Sequence, residues 1–354
     1  MKCLMALVLT IAMLLCAVAV AEQAPGGELP ARGGEMGEGF TGEKGERPDG
    51  EFPGEKGERP DGDFPDGGRQ GGGMAQSDAE TDEELQAILD EVLDQYELMT
   101  FADPETGIEL QYQLFAPEGC EEGGEYPLVM FIPDSRAPGR EASYVLTIGW
   151  GGVIWATAEE QAKHPCFVMV PVFTETVVDD NFNTSEQIEV AVRIIEHLTE
   201  NYPIDENRIY TTGQSMGGMT SFYLNAAYPE LFAASLFVGS QWDNTILDVL
   251  EGKSFFYIVS AGDDKASAGQ AGLKAVFDAD GAPYSSAEWS AQDDAGVQND
   301  AVRALIAEDN RANFVTFTKG TTLNDGAGGS EHLTSFDYAY RLEAVRDWLF
   351  EQAK

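Results

Sequence analysis

Two stretches of the chain, YPLVMFI at 126–132 and CFVMVPV at 166–172, are apolar at nearly every position. A strand with one wet face alternates between apolar and polar residues. One that does not alternate must be covered on both sides, as central strands of a parallel sheet are. Parallel neighbours cannot be joined by a tight hairpin and need crossover segments, usually helices. The rest of the chain supplies them. Residues 108–115 alternate and read as an edge strand, 185–202 as an amphipathic helix, 208–212 as a buried strand and 219–228 as a helix. Residues 233–238, 255–260 and 314–318 read as further strands, 294–308 as an additional helix and 338–352 as a closing helix. This alternation predicts an α/β fold: a mostly parallel central sheet flanked by helices. No Pro/Gly-rich linker divides residues 80–354, so one domain is expected there.

The region before it differs. Lys2 precedes an apolar run from Leu4 to about Ala17, and Ala19-Val20-Ala21 offers small residues for cleavage, so 1–21 reads as a signal peptide and the protein as secreted or cell-surface associated. No other apolar run is long enough to span a bilayer, and no membrane association beyond the signal peptide is expected. Residues 22–76 are rich in Gly, Pro, Glu and Asp, and GEKGERPDGEFP (42–53) recurs as GEKGERPDGDFP (54–65). With few apolar groups to offset chain entropy, this segment is expected to be a disordered spacer. Over 77–98, Thr81 and Glu84 form a capping-box pattern, and Leu85, Ile88, Leu89, Val92, Leu93 and Tyr96 share one face of a predicted amphipathic helix.

A formal net charge of −41, most of it beyond residue 76, argues against nucleic acid as a partner, since phosphate binding needs clustered Lys and Arg. Past the signal peptide only Cys120 and Cys166 remain, allowing one intramolecular disulfide. With three histidines they make no zinc-ligand spacing; no metal or cofactor is implied.

Chemistry concentrates at Gly213-Gln214-Ser215-Met216-Gly217, between the 208–212 strand and the following helix. A serine on such a turn, with small neighbours that let strand and helix approach, is the nucleophile-elbow arrangement. Ser215 would project from the carboxyl edge of the sheet, with the N–H of Met216 directed at any oxyanion formed there. A serine nucleophile needs a base. His164 lies at the amino end of a predicted strand, the wrong edge, and His197 lies inside a helix. His332, after the last predicted strand, is at the correct edge and in the expected chain order. Asp264 is the preferred acid to orient the imidazole, with Asp263 beside it and Asp243 as alternatives.

On YPLVMFIP, HPCFVMVP, IDENRIYTTGQSMGGM, YPELFAA, the SAGDD loop and EHLTSFDYAYRLEAVRDWLF, the chain from about residue 100 resembles the α/β-hydrolase esterases related to poly(3-hydroxybutyrate) depolymerases and feruloyl esterases, a prolyl-oligopeptidase-like group. The resemblance implies an α/β-hydrolase catalytic domain over 99–354, with nucleophile Ser215, acid Asp264 and base His332. It also implies an oxyanion hole from the N–H of Met216 and a second amide after the 126–132 strand. Relatives usually carry His-Gly there; this chain reads Pro133-Asp134-Ser135, so the backbone of Asp134 or Ser135 is expected to donate. Proline has no N–H, and an ionised Asp134 near a developing oxyanion would oppose it. Gln214, Gln241, Trp242 and Trp150, with Trp155, are candidate substrate contacts, and the 294–308 helix a candidate cover. The expected reaction is cleavage of small or polysaccharide-linked carboxylic esters through an acyl-enzyme. A serine peptidase of the same fold is the alternative, or a non-catalytic binding protein on a hydrolase scaffold.

Overall fold

The computed structural model describes residues 83–323 and 329–354. The signal-peptide, spacer, repeat and Thr81-cap readings lie outside the described residues. The first element among the described residues is helix α1 (Glu83–Val92), which ends before the residue 98 that the 77–98 periodicity predicts. Leu93–Gln95 tightens into a 3-10 turn, and Tyr96 leaves the helix with extended backbone, donating its hydroxyl to the Gly152 carbonyl.

Among the described residues nine strands form one sheet: β1 (Glu97–Ala102), β2 (Glu109–Phe115), β3 (Tyr126–Ile132), β4 (Phe167–Val172), β5 (Ile204–Gln214), β6 (Ala234–Val238), β7 (Ser254–Ser260), β8 (Ser285–Trp289) and β9 (Ala312–Phe317). Their order is β1-β2-β4-β3-β5-β6-β7-β9-β8. β2 pairs antiparallel with both β1 and β4, so it is not an edge strand; every pairing from β4 to β8 is parallel.

The central strands are covered on both faces, as their continuous apolar runs require. Leu128, Met130 and Ile132 of β3 join one core cluster and Val129 and Phe131 the other, the period-two split of a pleated strand. Against the first face pack helices α4 (Gln187–Asn201), α5 (Met216–Ala227) and α6 (Asp264–Asp280), through Ile188, Ile195, Phe222, Leu273 and Phe277. The second face is covered by α1, α7 (Ala295–Ile306), α8 (Glu331–Arg341) and α9 (Glu343–Phe350), through Leu85, Val302, Tyr340 and Trp348. Two short helices, α2 (Tyr144–Thr147) and α3 (Ala158–Lys163), lie between β3 and β4 in the chain. Cys120 and Cys166 belong to cores on opposite faces, and Cys166 is a free buried thiol, so they do not pair.

Parallel topology determines where function can sit. The carboxyl ends of β3, β5, β6, β7 and β9 all reach the same edge, and the loops that follow them share one crevice.

Candidate active site

Ser215 occupies the one-residue turn between β5 and α5, with φ 51° and ψ −119°. A non-glycine residue in that region stores about 1–3 kcal/mol of strain and persists only when its surroundings hold it. Here the Ser215 N–H donates to the Val238 carbonyl at 3.0 Å and its carbonyl accepts from the Met219 N–H at 2.9 Å. The flanking glycines are steric necessities. A Cβ at Gly217 would lie 1.9 Å from the Ile132 carbonyl oxygen, and one at Gly213 would lie 2.4 Å from the Gly217 backbone.

His332 sits in the first turn of α8, where its Nε2 is 2.8 Å from Ser215 Oγ. Its Nδ1 is hydrogen-bonded to Asp263 Oδ2. This corrects the expected acid. Asp264 is the exposed first residue of α6, whereas Asp263 is its buried N-cap, with Oδ1 accepting the amides of Ala266 at 3.1 Å and Lys265 at 3.2 Å. Burial raises the Asp263 pKa, but the His332 hydrogen bond, the imidazole charge and the two amides outweigh it, holding the carboxyl below its ordinary range. Asp243 caps its own turn through the Thr245 amide and does not take part.

The other histidines are occupied elsewhere. His164 Nε2 is 2.9 Å from Asp347 Oδ1, and its ring stacks on Phe350. His197 Nδ1 is 3.2 Å from Asn201 Nδ2.

Met216 and Ser135 both line the crevice at Ser215, so their amides are the candidate oxyanion donors. Asp134 is not at the crevice surface. Its carboxylate is 1 % exposed, turned back into the protein and paired with Arg136, which removes the expected conflict with an oxyanion.

The crevice encloses a cavity of about 460 Å³ that includes Ser215, His332 and Asp263. Of the five expected substrate contacts only Gln241 lines it. Gln214 is buried and hydrogen-bonds Asp134. Trp242 is core, edge-on to Phe182 and Tyr223, and Trp150 is core beneath the Arg341 guanidinium. Trp155 is fully buried, with its Nε1–H donated to the Gly151 carbonyl. Helix α7 packs beside β8 and α9 and contributes nothing to the crevice.

Sequence reasoning missed the segment after β4, which supplies Thr176, Val178, Asp179 and Asp180 to the wall. Its signal was the polar Asp/Asn run at 179–183, rigidified by Asp179 Oδ1 accepting the amides of Asn181 and Asn183. Opposite it, Lys265 Nζ is 2.5 Å from Asp180 Oδ2, and Gln241 Nε2 is 3.4 Å from Asp180 Oδ1.

The strand order, the elbow at the end of β5 and the histidine after β9 define the architecture. The chain has the α/β-hydrolase fold. It is similar to a thermostable esterase of known structure, at 26 % identity and a TM-score of 0.59, over 74 % of this chain and 64 % of the esterase. This chain therefore spans under two thirds of that protein. It also aligns with the feruloyl esterase module from Clostridium thermocellum complexed with sinapinate (11 % identity, TM-score 0.47, 73 % of this chain and 90 % of the module). A third match is S-formylglutathione hydrolase from Staphylococcus aureus (13 %, 0.40, 72 % and 98 %). No protein-family model matches the chain, and no curated protein does.

Proposed function

We propose that the protein is a serine esterase, exported through its N-terminal signal peptide, that cleaves small or polysaccharide-linked carboxylic esters. The observation carrying this reading is the continuous hydrogen-bonded line Ser215 Oγ–His332 Nε2, at 2.8 Å, and His332 Nδ1–Asp263 Oδ2. The likeness to a thermostable esterase favours the ester as the bond cleaved.

In this mechanism His332 Nε2 removes the Ser215 hydroxyl proton as Oγ attacks the ester carbonyl. Asp263 fixes the Nδ1–H tautomer and stabilises the imidazolium that forms. Negative charge moves onto the former carbonyl oxygen, where the amides of Met216 and Ser135 donate to it. The tetrahedral intermediate collapses as His332 returns the proton to the leaving alcohol, giving an acyl-enzyme on Ser215. Water, deprotonated by His332, then repeats the attack and releases the acid.

The test is steady-state turnover of p-nitrophenyl acetate and butyrate by the full chain and by Ser215→Ala. Turnover in the wild type, falling by about a thousandfold or more in the variant, is expected. Equal turnover in both would remove Ser215 from the reaction, and the absence of any turnover would favour a binding role.

A further inference from the structure

The segment that carries Ser215 and the loop that carries Ser135 are joined beneath the crevice by a polar cluster that hydrolysis does not itself use. Asp134 Oδ1 accepts from Arg136 Nε at 2.7 Å and from the Arg136 amide at 3.0 Å. Asp134 Oδ2 accepts from Arg136 Nη2 at 2.5 Å and from Gln214 Nε2 at 2.8 Å. The Asp134 carbonyl accepts the Ala137 amide at 3.1 Å, closing a tight turn with Ser135 and Arg136 at its centre. None of these bonds uses the Ser135 amide.

We infer that Asp134, Arg136 and Gln214 form a clamp that holds the oxyanion loop in register with the nucleophile elbow, Arg136 being its principal positioning residue. The inference rests on the serine-esterase reading of the site. Three observations carry it. First, the clamp joins residues just ahead of the two candidate donors: Gln214 lies two positions before Met216, and Asp134 one position before Ser135. A shift of either segment would therefore change the distance between the amides of Ser135 and Met216. Oxyanion stabilisation depends on that distance, because the donors must meet an oxygen that exists only in the transition state.

Second, Gln214 is 1 % exposed and its Oε1 has no partner among the described residues. A buried amide with an unsatisfied acceptor is unfavourable for stability alone; an aliphatic side chain would fit the core without that penalty. The half that is satisfied, Nε2, is the one that reaches Asp134.

Third, Arg136 removes a charge conflict. A buried carboxylate behind an oxyanion loop would oppose the developing negative charge. The guanidinium meets it fork to fork, a geometry lysine does not reproduce. Burial lowers the Arg136 pKa, but the hydrogen bond and charge of Asp134 more than offset this, so the guanidinium keeps its charge against the carboxylate.

The experiment uses the full chain with p-nitrophenyl butyrate, comparing Arg136→Gln, Asp134→Asn/Arg136→Gln and Gln214→Leu. In Arg136→Gln, kcat is expected to fall about tenfold or more while KM stays within about twofold, because ground-state binding does not use the oxyanion donors. The double variant is expected to recover most of that loss, since no orphan carboxylate remains. Gln214→Leu removes only the bridge to the elbow and is expected to lower kcat with its melting temperature preserved. Hydrogen exchange of the peptide spanning 133–137 should quicken in Arg136→Gln and in Gln214→Leu.

A kcat within about twofold of wild type in folded Arg136→Gln, or a double variant as slow as the single one, would overturn the clamp. So would unchanged exchange at 133–137. If Arg136→Gln does not fold, Gln214→Leu and the double variant decide alone. Should Ser215→Ala turn over as fast as wild type, the esterase reading fails separately, and the exchange result still reports on the clamp.

Discussion

At position 263 a single methylene-linked carboxylate does two jobs: it caps α6 and it holds the imidazole. Both need an acceptor at the end of β7, and the adjacent Asp264, one residue further round the first helical turn, points outward. Asp263→Asn is therefore expected to lower kcat by about a thousandfold or more, because the amide can present N–H to Nδ1 and favour the wrong tautomer. Asp264→Asn is expected to stay within about twofold. Steady-state kinetics of the two variants checks this, and a larger loss at 264 than at 263 would reverse the assignment. The sequence shows why the choice was hard. Gly262-Asp263-Asp264 gives two equivalent acids until the helix over 264–280 is recognised; after that, the capping preference of Asp singles out 263. Ser215 and His332 were legible because each stands alone, one as the serine between close-packing glycines and the other as the one histidine after the last strand at the carboxyl edge. The Asp134–Gln214 bond joins residues 80 apart in sequence, and no local pattern announces it.

Elements position these residues through buried polar ties. Helix α8 carries His332 and is anchored to β5 by the Thr212 Oγ1–Tyr340 hydroxyl contact at 3.0 Å. Its Glu331 Oε2 accepts from Ser260 Oγ at 2.7 Å and from the Gly320 amide at 2.8 Å, binding the helix start to the ends of β7 and β9. On the far side of the sheet, Asp103 at the end of β1 accepts from Arg193 Nε and Nη2 of α4, both at 2.7 Å. The Arg193 guanidinium, against an opposing contribution from burial and with help from Thr106, holds the Asp103 carboxyl far below the ordinary carboxylate range. A depressed folded-state pKa stabilises the fold above the unfolded value, about 3.9, and that contribution is lost as pH falls from there towards the folded value. Urea midpoints measured from pH 7 to pH 2 should therefore show wild type losing stability below about pH 4 more steeply than Arg193→Gln. Identical slopes would show that the pair contributes nothing. The strands missed from sequence were those with weak patterns. β1 is exposed or half-buried along its whole length, and β8 is a five-residue strand that begins Ser-Ser. The helix predicted over 77–98 ran too long because Leu93 and Tyr96 continue an apolar period while the backbone has already turned into β1.

Across the whole molecule, parallel pairing converts a sequence of distant segments into one site. The chain places Ser135, Ser215, Asp263 and His332 after β3, β5, β7 and β9, and the common strand direction delivers all four to one crevice. This much follows from uninterrupted apolar runs that demand cover on both faces. The wall after β4 does not: the Asp/Asn run at 179–183 marks a turn, but the bonds from Lys265 and Gln241 to Asp180 come from segments more than 60 residues away. On the proposed mechanism Ser215 is reactive only in the folded chain, where β5 and α8 bring hydroxyl and imidazole together. Labelling the native full chain with a fluorophosphonate, then mapping the adduct by peptide mass spectrometry, tests this most directly. One adduct on Ser215, abolished by His332→Ala or by prior unfolding in urea, is the predicted result; a native chain that is unlabelled, or labelled at another residue, would contradict the account.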